Sequence, residues 1–324
     1  MDIWQLTPTA KRILDGSLGL QPGETLTIIT DTEVPRSITA ALAAAATGLD
    51  ARPIILTMPP ADVGGVEPPE PIAAAMATSS AMIFQTTAGM VHTEAARNGL
   101  KNGGRFLDMW SCTEEMMVRG GPTADFQEVG RVTDKVHEAL KGGSEIHVTT
   151  PNGTDFRLNM KDRPLFQFSG QAQKAGTFSA MPEGEVAVCP LEWDSEGVLN
   201  DPVVLERRDI AFPKDRFRVI VEKGRIMTVE GGREAKVFNR MLDESGEPSR
   251  NIAELAIGTN RWCQLGVTLR ESKKAYGSFH IGIGDNRSFG GAVLAPFHMD
   301  MIFEAPTLKV DGREIMRDGE FLIF

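Results

Sequence analysis

The sequence predicts an α/β plus α+β protein, with an N-terminal doubly wound α/β domain over residues 1–143 and a β-rich domain over residues 144–324. Three observations carry this. Strand-like and helix-like runs alternate through the first half, the pattern changes near Gly143 to β-branched and aromatic runs with turn signals, and 324 residues with 41% hydrophobic content suffice for two cores.

In the first half, strands are expected at 25–30, 52–58, 81–87 and 104–110, separated by helix-like runs at 37–48, 71–80 and 92–103. The Pro- and Gly-rich stretch 58–71 reads as a loop, and an amphipathic run over 130–143 closes the domain. Beyond it, a hairpin is expected across Pro151-Asn152-Gly153 and another across Lys223-Gly224. A helix over 233–243 and a terminal hairpin in 307–324 complete the chain. An α/β half invites a dinucleotide, but no G-x-G-x-x-G follows any of its strands, and the run at 282–291 has the wrong spacing.

Lys and Arg total 34 against 44 Asp and Glu, and the net charge of −10 repels a nucleic-acid backbone. The N-terminus carries an early acid and no signal-like apolar core, and the longest apolar stretch, 38–49, is too short to span a bilayer. A cytoplasmic protein with no membrane partner is expected. Cys112, Cys189 and Cys263 are odd in number and widely spaced, which points to buried reduced thiols rather than disulfides or a thiolate metal site.

Period-2 patterning makes the second half chemically informative. In 278–284, Phe279, Ile281 and Ile283 point one way and His280 shares the other face with Gly282 and Gly284. In 296–303, His298 and Asp300 share a face, so imidazole and carboxylate converge about 6 to 7 Å apart along the strand, a spacing that suits a shared metal. Glu185 stands at the entrance to the apolar run 186–189, and Glu254 lies within the apolar segment 252–258; each carboxylate needs a cation or hydrogen bonds there. Glu183 lies in a turn two residues earlier and is a weaker candidate base. His92, just after a first-half strand, is a candidate substrate contact, while His137 and His147 read as exposed.

Taken in order, MPEGEVAVCP, NIAELAIGTN, GSFHIGIGDN and HMD resemble the metal-site segments of thermophilic metallo-aminopeptidases of the aminopeptidase T type, which are leucyl aminopeptidase-like. The resemblance covers about residues 175–305 and extends loosely through the first half. It implies metal ligands at Glu185, Glu254, His280, His298 and Asp300. Those enzymes usually carry a tyrosine where this chain has Arg287, so the acid or oxyanion donor would be Tyr276, the only tyrosine, or Arg287 itself.

A related branch, the 2,5-dihydroxypyridine 5,6-dioxygenases, resembles the chain in compact length and uses one Fe(II). There the position of Glu254 is a histidine and positions 185 and 280 are apolar, so the ligand set here looks closer to the hydrolase. Two divalent ions, Zn, Co or Mn, with three carboxylates leave one positive charge to hold a hydroxide nucleophile. The expectation is therefore a two-ion metallohydrolase, a homo-oligomer (dimer or larger) cleaving an amide or peptide-like bond in a small molecule or short peptide. The alternative is a one-iron ring-cleaving dioxygenase, in which His280, His298 and Asp300 form the two-histidine, one-carboxylate triad.

Overall fold

The computed structural model describes residues 1–62 and 64–324; Val63, within the expected loop at 58–71, lies outside the described residues, as does the side chain of Arg208. The chain divides into two compact units, residues 1–130 with 168–183, and residues 131–167 with 184–324.

The first unit holds α1 (Ile3–Arg12), β1 (Thr25–Asp31), α2 (Arg36–Gly48), β2 (Arg52–Met58), α3 (Glu70–Thr78), β3 (Ala81–Gln85), α4 (Glu94–Lys101), β4 (Arg105–Asp108) and α5 (Glu114–Arg119). The four strands pair in parallel in the order β2-β1-β3-β4. Ile29, Met82, Phe84 and Phe106 form a cluster with Ile72 and Met76 of α3 and Ala95 and Ala96 of α4. On the opposite face, Thr39 of α2 donates to Gln85 Oε1 at 2.6 Å. Helices on both faces make the expected α/β half.

Two elements differ from expectation. Helix α1 is absent from the expected elements; it contains Pro8, and its buried residues are Leu6, Thr9 and Ala10. The sheet also has a fifth parallel strand, Phe178–Ala180, beside β4. The division is thus not one cut near 143, since residues 168–183 return to complete this sheet. A three-residue strand has no periodicity to read.

The second unit begins within α6 (Phe126–Leu140). Its strands, with the returning strand as β8, are β5 (Glu145–Thr149), β6 (Asp155–Asn159), β7 (Leu165–Phe168), β9 (Glu185–Val188), β10 (Ser195–Asn200), β11 (Val204–Leu205), β12 (Phe217–Glu222) and β13 (Arg225–Gly231). There follow α7 (Arg233–Ser245), β14 (Ile252–Gly258), α8 (Leu269–Ser272), β15 (Phe279–Gly284), β16 (His298–Phe303), β17 (Thr307–Val310), β18 (Arg313–Arg317) and β19 (Glu320–Phe321). One sheet has eight strands, β13-β12-β10-β6-β5-β17-β18-β19, and the other six, β11-β16-β15-β14-β9-β7. The β5–β6 and β12–β13 hairpins lie where the turn signals placed them. Lys223 and Gly224 both take positive φ, 48° and 72°, as a two-residue hairpin turn requires.

Both sheets contribute to one hydrophobic cluster, with Ile146, Phe156, Leu199 and Val219 from the larger and Val186, Leu255, Ile281 and Met301 from the smaller. The alternate residues of the smaller sheet therefore point away from that cluster. This leftover face carries the chemistry.

Candidate metal centre

Four adjacent strands of the smaller sheet, β9, β14, β15 and β16, share a register that aligns the ligand-type residues. Glu254 pairs with Gly282 and Gly282 with Asp300; Ala256 pairs with His280; Gly284 pairs with His298; Gly258 pairs with Glu185. Paired residues share a face, and so do residues two apart. Glu185, Glu254, His280, His298 and Asp300 consequently stand on one face. A register shift between Ile252 and Glu254 lets Ile252 join the core while Glu254 turns to the site.

The spaces between these side chains are kept open by small residues. A Cβ at Gly282 would lie 2.7 Å from His298 Cε1 and 2.9 Å from Glu254 Cβ. Gly258 permits the backbone of Ala275 to approach to 2.0 Å of where its Cβ would be. Such contacts exclude any larger residue at either position without local rearrangement.

Around the pocket, His298 Nε2 lies 3.0 Å from Glu254 Oε2 and 3.2 Å from Asp300 Oδ1. His280 Nε2 lies 3.7 Å from Glu254 Oε1 and 3.8 Å from Glu185 Oε2. Glu254, His280 and Asp300 each offer a donor atom, all within 4.8 Å of one another. His298 Nδ1 is 2.7 Å from the Asp285 carbonyl oxygen, a contact that turns Nε2 toward the carboxylates. The side chains of Glu254, His280 and Asp300 are almost wholly buried, and His298, 26% exposed, is the accessible member.

Burial alone would raise the Glu254 carboxyl, yet the His280 and His298 hydrogen bonds bring it down to about 2. Asp300 is likewise held well below the ordinary carboxylate value, against burial, by Lys273 and the two imidazoles. Burial works to lower both histidines, but the surrounding carboxylates raise them, His298 strongly. The face is thus a buried, carboxylate-rich pocket that attracts positive charge.

It also suits a metal by an independent sign: neither ring nitrogen of His280 has a hydrogen-bond partner among the described residues. Native interiors rarely leave such groups unsatisfied, whereas imidazole nitrogen and carboxylate oxygen are the donors that divalent iron or zinc takes.

Tyr276, Arg287 and Glu183 are placed differently. Tyr276 lies edge-on to Phe321, with centroids 4.9 Å apart, and beneath the Arg261 guanidinium at 3.5 Å. Arg287 is more than half exposed and pairs with Asp285 at 2.9 Å. Glu183 is buried and is the last residue of the first unit. In the first unit, His92 is exposed just ahead of α4.

Sequence reading missed two cations. Lys274 Nζ lies 2.5 Å from Glu185 Oε1, both buried, and Lys273 Nζ contacts Asp300 Oδ2 and stands 3.7 Å from Glu206 Oε2. The dipeptide follows a four-residue helix, where paired lysines ordinarily read as a solvated surface; only the fold carries them inward. Phe289 was also missed, and its ring centroid lies 5.5 Å from that of His298.

The family model for NicX, 2,5-dihydroxypyridine 5,6-dioxygenase, matches residues 6–323. A 2,5-dihydroxypyridine 5,6-dioxygenase from Pseudomonas putida KT2440 is 25% identical over 264 residues, covering 77% of this chain and 73% of that protein. The structure of the 2,5-dihydroxypyridine dioxygenase from the same strain superposes with a TM-score of 0.83 at 20% identity, over 99% of this chain and 98% of that one. Wild-type AmpT from Thermus thermophilus gives 0.68 at 16% identity, over 99% of both chains. AmpT thus shares the fold, as the resemblance implied.

These matches correct the main functional expectation. The metallohydrolase, with its aminopeptidase and metalloprotease character, is overturned by the full-length match to a dioxygenase family. The two-ion Zn, Co or Mn site is left without support. Imidazoles and carboxylates serve hydrolytic and oxidative metals alike, so a ligand list did not separate the two. No helix among the described residues is long and apolar enough to cross a membrane.

Proposed function

Because this chain belongs to the 2,5-dihydroxypyridine 5,6-dioxygenase family, we propose that it is a mononuclear Fe(II) dioxygenase that opens a hydroxylated nitrogen-containing aromatic ring. The observation that supports the reading best is the juxtaposition of Glu254, His280 and Asp300 within 4.8 Å, with His298 alongside and both ring nitrogens of His280 without a hydrogen-bond partner among the described residues.

His280, His298 and Asp300 would hold the iron as a two-histidine, one-carboxylate set, with Glu254 as a further carboxylate at hand. When bound, Fe(II) supplies the one-electron chemistry that lets O2 react with an aromatic ring. The protein's part is to bind, orient and exclude water. Asp285 fixes the His298 ring through its carbonyl oxygen, and Gly282 leaves room for that ring beside Glu254. Phe289, half-buried against His298, offers a flat apolar surface on which a heteroaromatic ring would stack. Glu254, held ionised by the histidines, is placed to accept a hydrogen bond from a ring hydroxyl.

The test is oxygen uptake by protein reconstituted anaerobically with Fe(II) and given 2,5-dihydroxypyridine, beside zinc-loaded protein given leucine amide. One O2 consumed per ring lost, with leucine amide untouched, is the expected result. Hydrolysis of leucine amide without O2 uptake would overturn the reading.

A further inference from the structure

The five ligand-type residues on this face are numerous enough to serve two ions. Two of them, however, already meet a cation supplied by the chain. Glu185 Oε1 is 2.5 Å from Lys274 Nζ, and Asp300 Oδ2 contacts Lys273 Nζ. We propose that Lys273 and Lys274 act as built-in cations that restrict this centre to a single divalent ion, Lys274 by taking up one oxygen of Glu185 and Lys273 by taking up one oxygen of Asp300.

Charge supports this. Glu185, Glu254 and Asp300 bring three negative charges, and the two ammonium groups bring two positive ones, leaving a net −1. Glu206, 3.7 Å from Lys273, would make it −2 if ionised. One divalent ion brings the pocket to between +1 and neutral. A second would leave it at +2 or +3 among largely buried groups, where unbalanced charge is costly.

Geometry agrees with the charge count. With Glu185 Oε1 and Asp300 Oδ2 turned to the lysines, and Glu185 Oε2 at the edge of the group 3.8 Å from His280 Nε2, the donors left closest together are Glu254, His280, His298 and Asp300 Oδ1, a set of the right size for one ion.

The lysines are held where they are by the backbone. Asn260 N–H donates to the Lys274 carbonyl oxygen at 2.9 Å, and Asn260 and Ala275 form a parallel bridge. Gly258, which lacks the Cβ that would collide with the Ala275 carbonyl oxygen, lets this segment lie against β14. The ammonium positions are therefore set by the fold rather than by flexible surface side chains.

This inference rests on the cluster being a metal centre, and the experiment separates the two. The full chain is stripped with chelator, loaded with excess Zn(II) as a redox-inert probe, and weighed by native mass spectrometry. Wild type is expected to take one ion per chain, Lys274→Met two, and the charge-retaining Lys274→Arg one. Equilibrium dialysis of two further variants stands apart from the folding of the lysine variants. Glu185→Gln should leave affinity for the first ion within about tenfold, whereas Asp300→Asn should weaken it by about a hundredfold or more.

Two ions in wild type, one ion in a folded Lys274→Met, or a Glu185→Gln loss as large as that of Asp300→Asn would each overturn the lysine assignment while leaving a metal centre. No ion in wild type would overturn both.

Discussion

The Cβ that any residue but glycine would place at position 282 falls 2.7 Å from Cε1 of His298, so the imidazole reaches Glu254 and Asp300 only because Gly282 stands in the neighbouring strand. The central strand contributes the imidazole of His280 and an empty space at 282, and that space lets the adjacent strands' side chains meet.

Gly282→Ala should accordingly displace the His298 ring. Overpacking of this kind costs about 1 to 3 kcal/mol. Loss of the ring's orientation should weaken metal binding about tenfold or more. Dialysis against Fe(II) or Zn(II), with thermal melting alongside, checks it; unchanged affinity would mean that the ring finds an equivalent position.

Metal removal should destabilise the second unit, whose central strands carry the pocket. An ion present at a hundred times its dissociation constant contributes about 2.7 kcal/mol to a state that alone binds it. Chelated protein should therefore melt several degrees lower, and Asp300→Asn should melt at the same temperature with and without chelator. Calorimetry on the two proteins decides the point.

In the first unit, the buried Arg105 holds Glu24 through both oxygens at 2.7 and 2.8 Å and also donates to the carbonyl oxygens of Leu18, Gly19 and Ser80. The Arg105 hydrogen bonds lower the Glu24 carboxyl from its ordinary value of 4.5. A depressed carboxyl stabilises the fold above its unfolded value, and that stability is lost as pH falls through the folded value. Glu24→Gln should cost about 1.5 to 3 kcal/mol at pH 7, and the gap from wild type should close only as the pH drops below about 4.5. A denaturation series from pH 7 to 3 measures it; a gap independent of pH would refute the assignment.

Cys189 is buried, its sulfur 3.3 Å from Asn286 Nδ2, and burial pushes its thiol up to about 11. At pH 8 roughly one thiol in a thousand would be ionised. Disulfide-exchange reagents should label it only on unfolding, at rates that rise with denaturant. Rapid labelling of the native protein, mapped to this residue by mass spectrometry, would contradict the burial.

Much of the architecture is legible in the residues themselves. Alternation of apolar runs places β1 to β4 within a few residues, and Lys223-Gly224 marks its hairpin because few sequences tolerate two successive positive φ angles. Period 2 also sets His298 and Asp300 on one face, and His280 with Gly282 and Gly284, since those relations lie within single strands.

Relations between distant segments were decided by the tertiary structure. The register that lines Glu254, Gly282 and Asp300 in one row depends on pairing among three strands, as does the return of β8 to the parallel sheet. The burial of Lys273 and Lys274 against Asp300 and Glu185 belongs to the same class. A list of ligand types records which atoms can bind a cation, and that is local chemistry. How many cations the pocket accepts depends on the sum of charges brought together in space, and the two lysines enter that sum only after the chain has folded.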